Sequence, residues 1–219
     1  MNTATVFVVD DDPGMRRALT RLFESAGRRV EAFESARAFL ERPPNRGGGV
    51  GCLVLDLQMP DMSGPELQGL MAEKGIALPV VFLTGHGDVP SSVAAMKKGA
   101  VDFLLKPVED EVLLRAVESA LARHAAGSER QALRQAIRER LARLSPRQRE
   151  VMRHVIQGRL NKQIAADLNI SLKTVKTHRG RVMATMEYSS VAELVRACEL
   201  AGIEPGVDQG LIGGRPGPQ

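Results

Sequence analysis

Residues 6–12 read Val6-Phe7-Val8-Val9-Asp10-Asp11-Asp12, an unbroken apolar run that ends abruptly in three carboxylates. A run this short, apolar on every residue, suits a strand covered on both faces, as in the centre of a parallel sheet. The pattern then repeats along the first half of the chain. Met15–Ala26 follows as a helical pattern, then Val30–Phe33 with Ala36–Leu40, Cys52–Leu55 with Pro65–Lys74, Val80–Leu83 with Val89–Lys98, and Phe103–Leu105 with Glu111–Ala125. Strands and helices in strict alternation imply an α/β unit with a parallel sheet, because parallel neighbours need crossover connections.

In a flavodoxin-like sheet of this kind, ligands bind at the carboxyl ends of the strands. The residues expected there are chemically coherent: Asp10, Asp11 and Asp12 after the first strand, Asp56 at the end of the third, Thr84 at the end of the fourth, and Lys106-Pro107 at the end of the fifth. Converging carboxylates repel one another, and a hard divalent cation relieves that repulsion. Mg²⁺ suits such a site, with two carboxylates and a backbone carbonyl as ligands. Asp56 can then attack phosphorus as a carboxylate nucleophile, with Lys106 offsetting oxyanion charge and the Thr84 hydroxyl donating a hydrogen bond.

Past the first unit, residues 126–143 carry no proline and place Leu133, Ile137 and Leu141 at a spacing of four, which predicts a helical linker. That narrow stripe fits either a solvated helix leaning on a neighbour or a seam with a second copy. From residue 144 the pattern is all helical. Ser145-Pro146-Arg147-Gln148 is a capping box with proline at the first helical position, Gly158 is a stop, Asn161 caps a helix to Leu168, Ser171 caps one to about Met186, and Val191–Leu200 forms the last. On the wheel of Ser171–Met186, Leu172, Val175, Val182, Met183 and Met186 share one face. Lys173, Thr174, Lys176, Thr177, Gly180 and Arg181 share the other.

Charge is divided in the same way: residues 1–126 hold 14 Lys/Arg against 17 Asp/Glu, and residues 127–219 hold 16 against 9. A basic helical domain beside an acidic one points to nucleic acid. Residues 144–219 contain a single aromatic, Tyr188, which argues against the stacking platforms of RNA readers and for duplex DNA. Cys52 and Cys198 lie in apolar runs and read as packing. The sequence lacks the basic region and apolar core of a signal peptide at Met1–Thr5, and no apolar run reaches a membrane span, so a soluble, cytoplasmic protein with no membrane partner is expected.

Residues 1–125 resemble a receiver domain, and the whole chain is similar to the FixJ branch of the NarL/LuxR class of two-component response regulators. The resemblance rests on Val9-Asp10-Asp11-Asp12, on Asp56-Leu57-Gln58-Met59-Pro60-Asp61-Met62-Ser63-Gly64, on Thr84-Gly85-His86-Gly87-Asp88-Val89-Pro90, on Gly99-Ala100-Val101-Asp102-Phe103 and on Lys106-Pro107. It implies that Asp56 is the phospho-acceptor, that Asp11, Asp56 and the Gln58 carbonyl ligate Mg²⁺, and that Asp10 helps through water. Asp12 is then a neighbour, Lys106 pairs with Asp56, Thr84 tracks the phosphoryl group, and Lys106-Pro107 is cis. Phe103 is either a switch that moves with Thr84 or simply core, and His86 is a loop residue.

Leu144-Ser145-Pro146-Arg147-Gln148-Arg149-Glu150-Val151, Asn161-Lys162-Gln163-Ile164-Ala165 and Thr174-Val175-Lys176-Thr177-His178-Arg179 resemble a LuxR-type helix-turn-helix over residues 144–204, with 205–219 a disordered tail. The third helix is then the reader, and the fourth supports dimerisation. Lys162, Lys173, Thr174, Lys176, Thr177, His178 and Arg181 are the candidate DNA contacts. Arg179 falls toward the inner face of the wheel and either pairs with Glu150 or reads DNA, and His178 either packs or meets a phosphate. The resemblance implies a sensor histidine kinase as phosphodonor, promoter DNA, a homodimer on activation and RNA polymerase as partners, with no enzymatic turnover beyond phosphoryl transfer to the chain's own Asp56. A haloacid-dehalogenase-type phosphohydrolase is the rival, but Gly14 stands where its nucleophile motif needs Thr or Val.

Overall fold

The computed structural model describes residues 4–42, 49–85 and 100–203. The expected helix Val89–Lys98, His86 and the tail from 205 lie outside the described residues. The chain divides into two compact units, Met1–Glu129 and Arg130–Gln219.

The first unit is a five-stranded sheet in the order β2-β1-β3-β4-β5, every pair parallel. Its strands are β1 (Thr5–Val9), β2 (Arg29–Phe33), β3 (Gly51–Asp56), β4 (Val80–Thr84) and β5 (Asp102–Leu105). Helices α1 (Pro13–Ser25), α2 (Ala36–Glu41), α3 (Gly64–Glu73) and α4 (Asp110–Ala142) follow β1, β2, β3 and β5. Because side chains alternate across a strand, the central strands feed two separate cores. Phe7, Val9, Leu53, Leu55 and Phe82 join Phe39 of α2 with Leu67 and Met71 of α3. Val6, Val8, Cys52, Val54, Val81 and Leu83 join Leu19 and Phe23 of α1 with Leu113, Val117 and Leu121 of α4. Edge-on stacking of Phe39 against Phe7 and Phe33, at 6.2 and 5.4 Å between centroids, fills the first core.

Two local devices fix the sheet's ends. Gly64 opens α3 against the end of β3, where a Cβ would stand 2.7 Å from the Asp56 carbonyl oxygen, so no larger residue fits. At the opposite end the Gly51 N–H donates to His124 Nδ1 of α4 at 2.9 Å. Cys52 is buried and free, with its thiol pushed up to about 12 by burial.

Helix α4 runs unbroken for 33 residues, and the boundary between the units falls within it, after Glu129. The sequence predicts a helix over 111–125 and a separate linker over 126–143, but Gly127 alone costs only about 1 kcal/mol and no proline stops the helix. The linker reading also changes in detail. Ile137 and Leu141 are buried in the core of the second unit, and of the stripe only Leu133 stays exposed, at 46%.

The second unit packs the end of α4 with α5 (Pro146–Ile156), α6 (Asn161–Asp167), α7 (Leu172–Met186) and α8 (Val191–Leu200) around Val151, Met152, Val155, Ile164, Val175, Val182, Met186, Leu194 and Cys198. The Ser145 box forms as expected: the Ser145 N–H donates to Gln148 Oε1 at 2.8 Å and the Gln148 N–H to Ser145 Oγ at 3.3 Å. Gly158, at φ 75°, ends α5. Asn161 does not cap α6. The cap is Leu160, whose N–H donates to Gln163 Oε1 at 2.9 Å, and Asn161 Oδ1 instead accepts from Arg179 Nη1 of α7 at 2.9 Å. Arg179 therefore turns inward as expected, but to Asn161; Glu150 is taken by Arg147, whose guanidinium also donates to the Leu168 carbonyl. Arg134 and Arg138 of α4 reach the carbonyls of Leu200 and Ala201 at the C-terminal end of α8.

Burial lowers the His124 pKa below its ordinary value, so its neutral form is the one the fold favours. A lowered folded pKa gives stability that is present above the ordinary histidine pKa and lost as pH falls through the folded one. Thermal melts from about pH 7 down to 5 are expected to show the wild type losing stability more steeply than His124→Gln, which keeps an acceptor for Gly51 but does not titrate.

Candidate acidic site and nucleic-acid interface

Parallel register aligns the carboxyl ends of the strands: Val9 pairs with Leu55, Asp56 with Leu83 and Thr84 with Leu105. The residues next in sequence therefore gather at one edge. Asp10, Asp56 and Thr84 are buried polar residues of the unit, and Lys106 Nζ lies 2.7 Å from Asp10 Oδ2 and 3.0 Å from Asp56 Oδ1. Asp11, exposed, completes a group of three carboxylates whose oxygens all lie within 4.8 Å of one another. Three carboxylates against one ammonium leave two negative charges, which matches a divalent cation.

The electrostatics follow from burial and crowding. Burial raises the Asp56 pKa most, the Lys106 hydrogen bond and charge pull it down, and the charges of Asp10 and Asp11 push it up again; the balance is a raised value. For Lys106 burial works to lower the pKa, yet the hydrogen bonds and charges of Asp10 and Asp56 outweigh it and hold the ammonium above its ordinary value. Asp12 is occupied elsewhere. It caps α1, with Oδ1 accepting from Gly14 N at 2.6 Å and Met15 N at 3.3 Å, while its own N–H donates to Asp10 Oδ1 at 2.9 Å.

The peptide between Lys106 and Pro107 is cis, and the Lys106 N–H donates to the Thr84 carbonyl at 2.7 Å. Gln58 is exposed two residues beyond Asp56. Phe103 is half-buried against the α2–α3 core, its ring centroid 6.4 Å from that of Phe82. One contributor is invisible in the linear motif: Arg16 Nη1 donates to the carbonyls of Asp10 and Asp11 at 2.7 and 2.9 Å, which pins the loop that carries both acids. Its position one turn into α1 is the only sequence signal, and a solvated arginine would look the same.

In the second unit the turn between α6 and α7 sets a basic face. Lys173, Lys176, Thr177, Gly180 and Arg181 of α7 are exposed, as is Lys162 of α6. Ser171 Oγ caps α7 by accepting from Thr174 N at 3.0 Å and shares a hydrogen with Thr174 Oγ1 at 2.8 Å. Thr177 Oγ1 donates back to the Lys173 carbonyl at 3.1 Å. Val175, Val182 and Met186 are buried in the core, but Leu172, in the first turn of α7, departs from the expected inner face and is 38% exposed. His178 is half-buried, and its Nδ1 is out of solvent with no hydrogen-bond partner.

The response regulator receiver domain family matches residues 6–118, and the family of bacterial regulatory proteins of the LuxR type matches residues 142–198. Nodulation protein W of Bradyrhizobium diazoefficiens is 46% identical over 200 residues, covering 91% of this chain and 87% of the relative. The transcriptional regulatory protein FixJ of Rhizobium meliloti is 44% identical over 205 residues, 94% of this chain and all of the relative. Among solved structures, the response regulator StyR superposes with a TM-score of 0.81 at 42% identity over 90% of this chain and 98% of its own, and full-length FixJ from B. japonicum with 0.57 at 42% identity over 93% and 100%. The chain belongs to the FixJ-like response regulator transcription factors.

For this response regulator the phosphohydrolase reading falls away, since the family matches account for both units. Among the described residues no helix is long and apolar enough to cross a membrane.

If the three carboxylates hold a divalent cation, Mg²⁺ should raise the melting temperature of the first unit through preferential binding to the folded state. At ten times its Kd the gain is about 1.4 kcal/mol. Asp11→Asn, which removes an exposed carboxylate and leaves the Lys106 pairs intact, should abolish most of the shift in a calorimetric titration; an equal shift in wild type and variant would exclude Asp11 as a ligand.

Proposed function

We propose that this response regulator accepts a phosphoryl group on Asp56 from a sensor histidine kinase and thereby controls promoter binding by α6 and α7. The observation that carries the reading is the Lys106 ammonium held between Asp10 and Asp56 at the carboxyl edge of the sheet. Asp56 attacks phosphorus, the bond from phosphorus to the donor nitrogen breaks, and its electron pair returns to the imidazole. Lys106 offsets charge on the transferring oxygens, and the Thr84 hydroxyl donates to one of them. Asp11, Asp56 and the Gln58 carbonyl would hold Mg²⁺, with Asp10 helping through water, and the ion supplies the positive charge that a site with two uncompensated carboxylates lacks. Phe103, packed beside Phe82, follows Thr84 when the phosphoryl group draws it inward.

On the DNA side, Lys176 and Thr177 read base edges while Lys162, Lys173 and Arg181 meet phosphates; Thr174 lies at the helix start, where its hydroxyl already serves the cap. Phosphorylation shifts the chain toward a homodimer with higher operator affinity, and the bound dimer recruits RNA polymerase in the cytoplasm. A differential affinity between the two states is what the coupling requires.

Asp56→Asn should show no phosphoryl adduct in intact-mass spectra after exposure to a cognate kinase or a small phosphodonor, where the wild type shows one per chain. An adduct on the variant, mapped to another aspartate, would move the acceptor. Separately, Lys176→Ala should cost on the order of 1–3 kcal/mol per subunit and relax preference at one position of each half-site. Lys162→Ala or Lys173→Ala should weaken specific and non-specific duplexes alike and reduce the salt slope by about one. Operator titrations at several salt concentrations separate the two classes.

A further inference from the structure

Gly180 sits in the interior of α7 without an intramolecular reason to be glycine. It has no positive φ, and a Cβ placed there meets nothing within 4 Å. Gly64 and Gly158 make the contrast, the first wedged against the end of β3 and the second at φ 75°. A glycine inside a helix weakens it relative to alanine, because more backbone freedom is lost on folding. No contact among the described residues explains that loss.

The position of the gap indicates what it serves. Side chains on an α-helix lean toward its N-terminus, so one at 180 would lie over the turn that carries Lys176 and Thr177. Both are exposed, and Thr177 Oγ1 is drawn back to the Lys173 carbonyl, which keeps this part of the face low. Lys173 and Arg181, also exposed, carry long cationic side chains beside it. The major groove offers the complementary relief, with base edges on its floor and phosphates along its rims.

Resting on the assignment of α7 as the reading helix, we propose that Gly180 is a specificity-determining position whose missing side chain lets the base edges of a B-form duplex reach the Lys176–Thr177 turn. A side chain there holds the helix off the groove floor. Flexible lysine and arginine contacts to phosphate survive that displacement, whereas base contacts with fixed geometry do not.

The test uses the full-length chain, a duplex that the wild type selects from a random-sequence pool, and a scrambled duplex of equal length. Gly180→Ala and Gly180→Leu should raise the melting temperature of the chain. Gly180→Leu should weaken the selected duplex by about tenfold or more, Gly180→Ala by less, with the scrambled duplex unaffected. Gly69→Ala in α3, another helical glycine with nothing within 4 Å of its Cβ, serves as the control and should leave the preference unchanged. Unchanged preference in both Gly180 variants overturns the inference. A lower melting temperature for Gly180→Ala also overturns it, by making the glycine a requirement of the fold. Lys176→Ala tells which step failed: if it weakens the selected duplex while Gly180→Leu does not, only the role of Gly180 falls; if neither does, α7 is not the reading helix.

Discussion

One ammonium group ties together the buried acids at the carboxyl edge of the receiver sheet. Lys106 leaves the end of β5 and reaches the carboxylates of Asp10 and Asp56, which end β1 and β3 on the far side of β4. Only a long, flexible stem can span that separation, and only a cation makes burial of both acids tolerable, since a carboxylate taken out of water without a partner costs several kcal/mol. The register of the parallel sheet delivers all of these groups to one edge, and the glycine at 64 lets α3 start close enough to keep β3 in place. With one cation for three acids the site is stable yet still attracts positive charge. That incomplete neutralisation links the fold to its chemistry.

Most of the first unit could be read from the linear order. Val6–Val9 and Val80–Leu83 are apolar on both faces because both faces are covered, so a doubly covered strand was visible without any partner being known. The acids, Thr84 and Lys106 were recognisable because each stands at or just past the carboxyl end of a strand. Arg16 was not, since its role is set by two carbonyls rather than by a side-chain partner, and carbonyls leave no mark in a sequence. The same holds for His124, whose donor is the backbone of Gly51 across 73 residues.

The helical unit shows where pattern reasoning misassigns a residue of the right type. Asn161 before an apolar run has the signature of a cap, and the same short side chain is equally suited to receive a guanidinium from the next helix; the choice is made by Arg179, 18 residues on. Leu172 satisfies the wheel, yet in the first turn of α7 it stays partly exposed. The stripe in residues 126–143 was correctly periodic, but its owner was open. Ile137 and Leu141 prove to be core residues of the helix-turn-helix unit, anchored further by Arg134 and Arg138 on the carbonyls that end α8. A segment that looks like a connector is thus part of the domain it precedes.

The two cysteines have a practical consequence. Cys52 lies in the sheet and Cys198 in the helical core, both are free and buried, and their thiols are pushed up to about 12 and about 11 chiefly by burial. Oxidants and alkylating reagents attack the thiolate, and at neutral pH such groups supply almost none of it. Both thiols are therefore held mainly in the less reactive protonated form at neutral pH. The chain has no other cysteine, so a single cysteine introduced on its surface can carry a spin label or fluorophore with the native pair left in place.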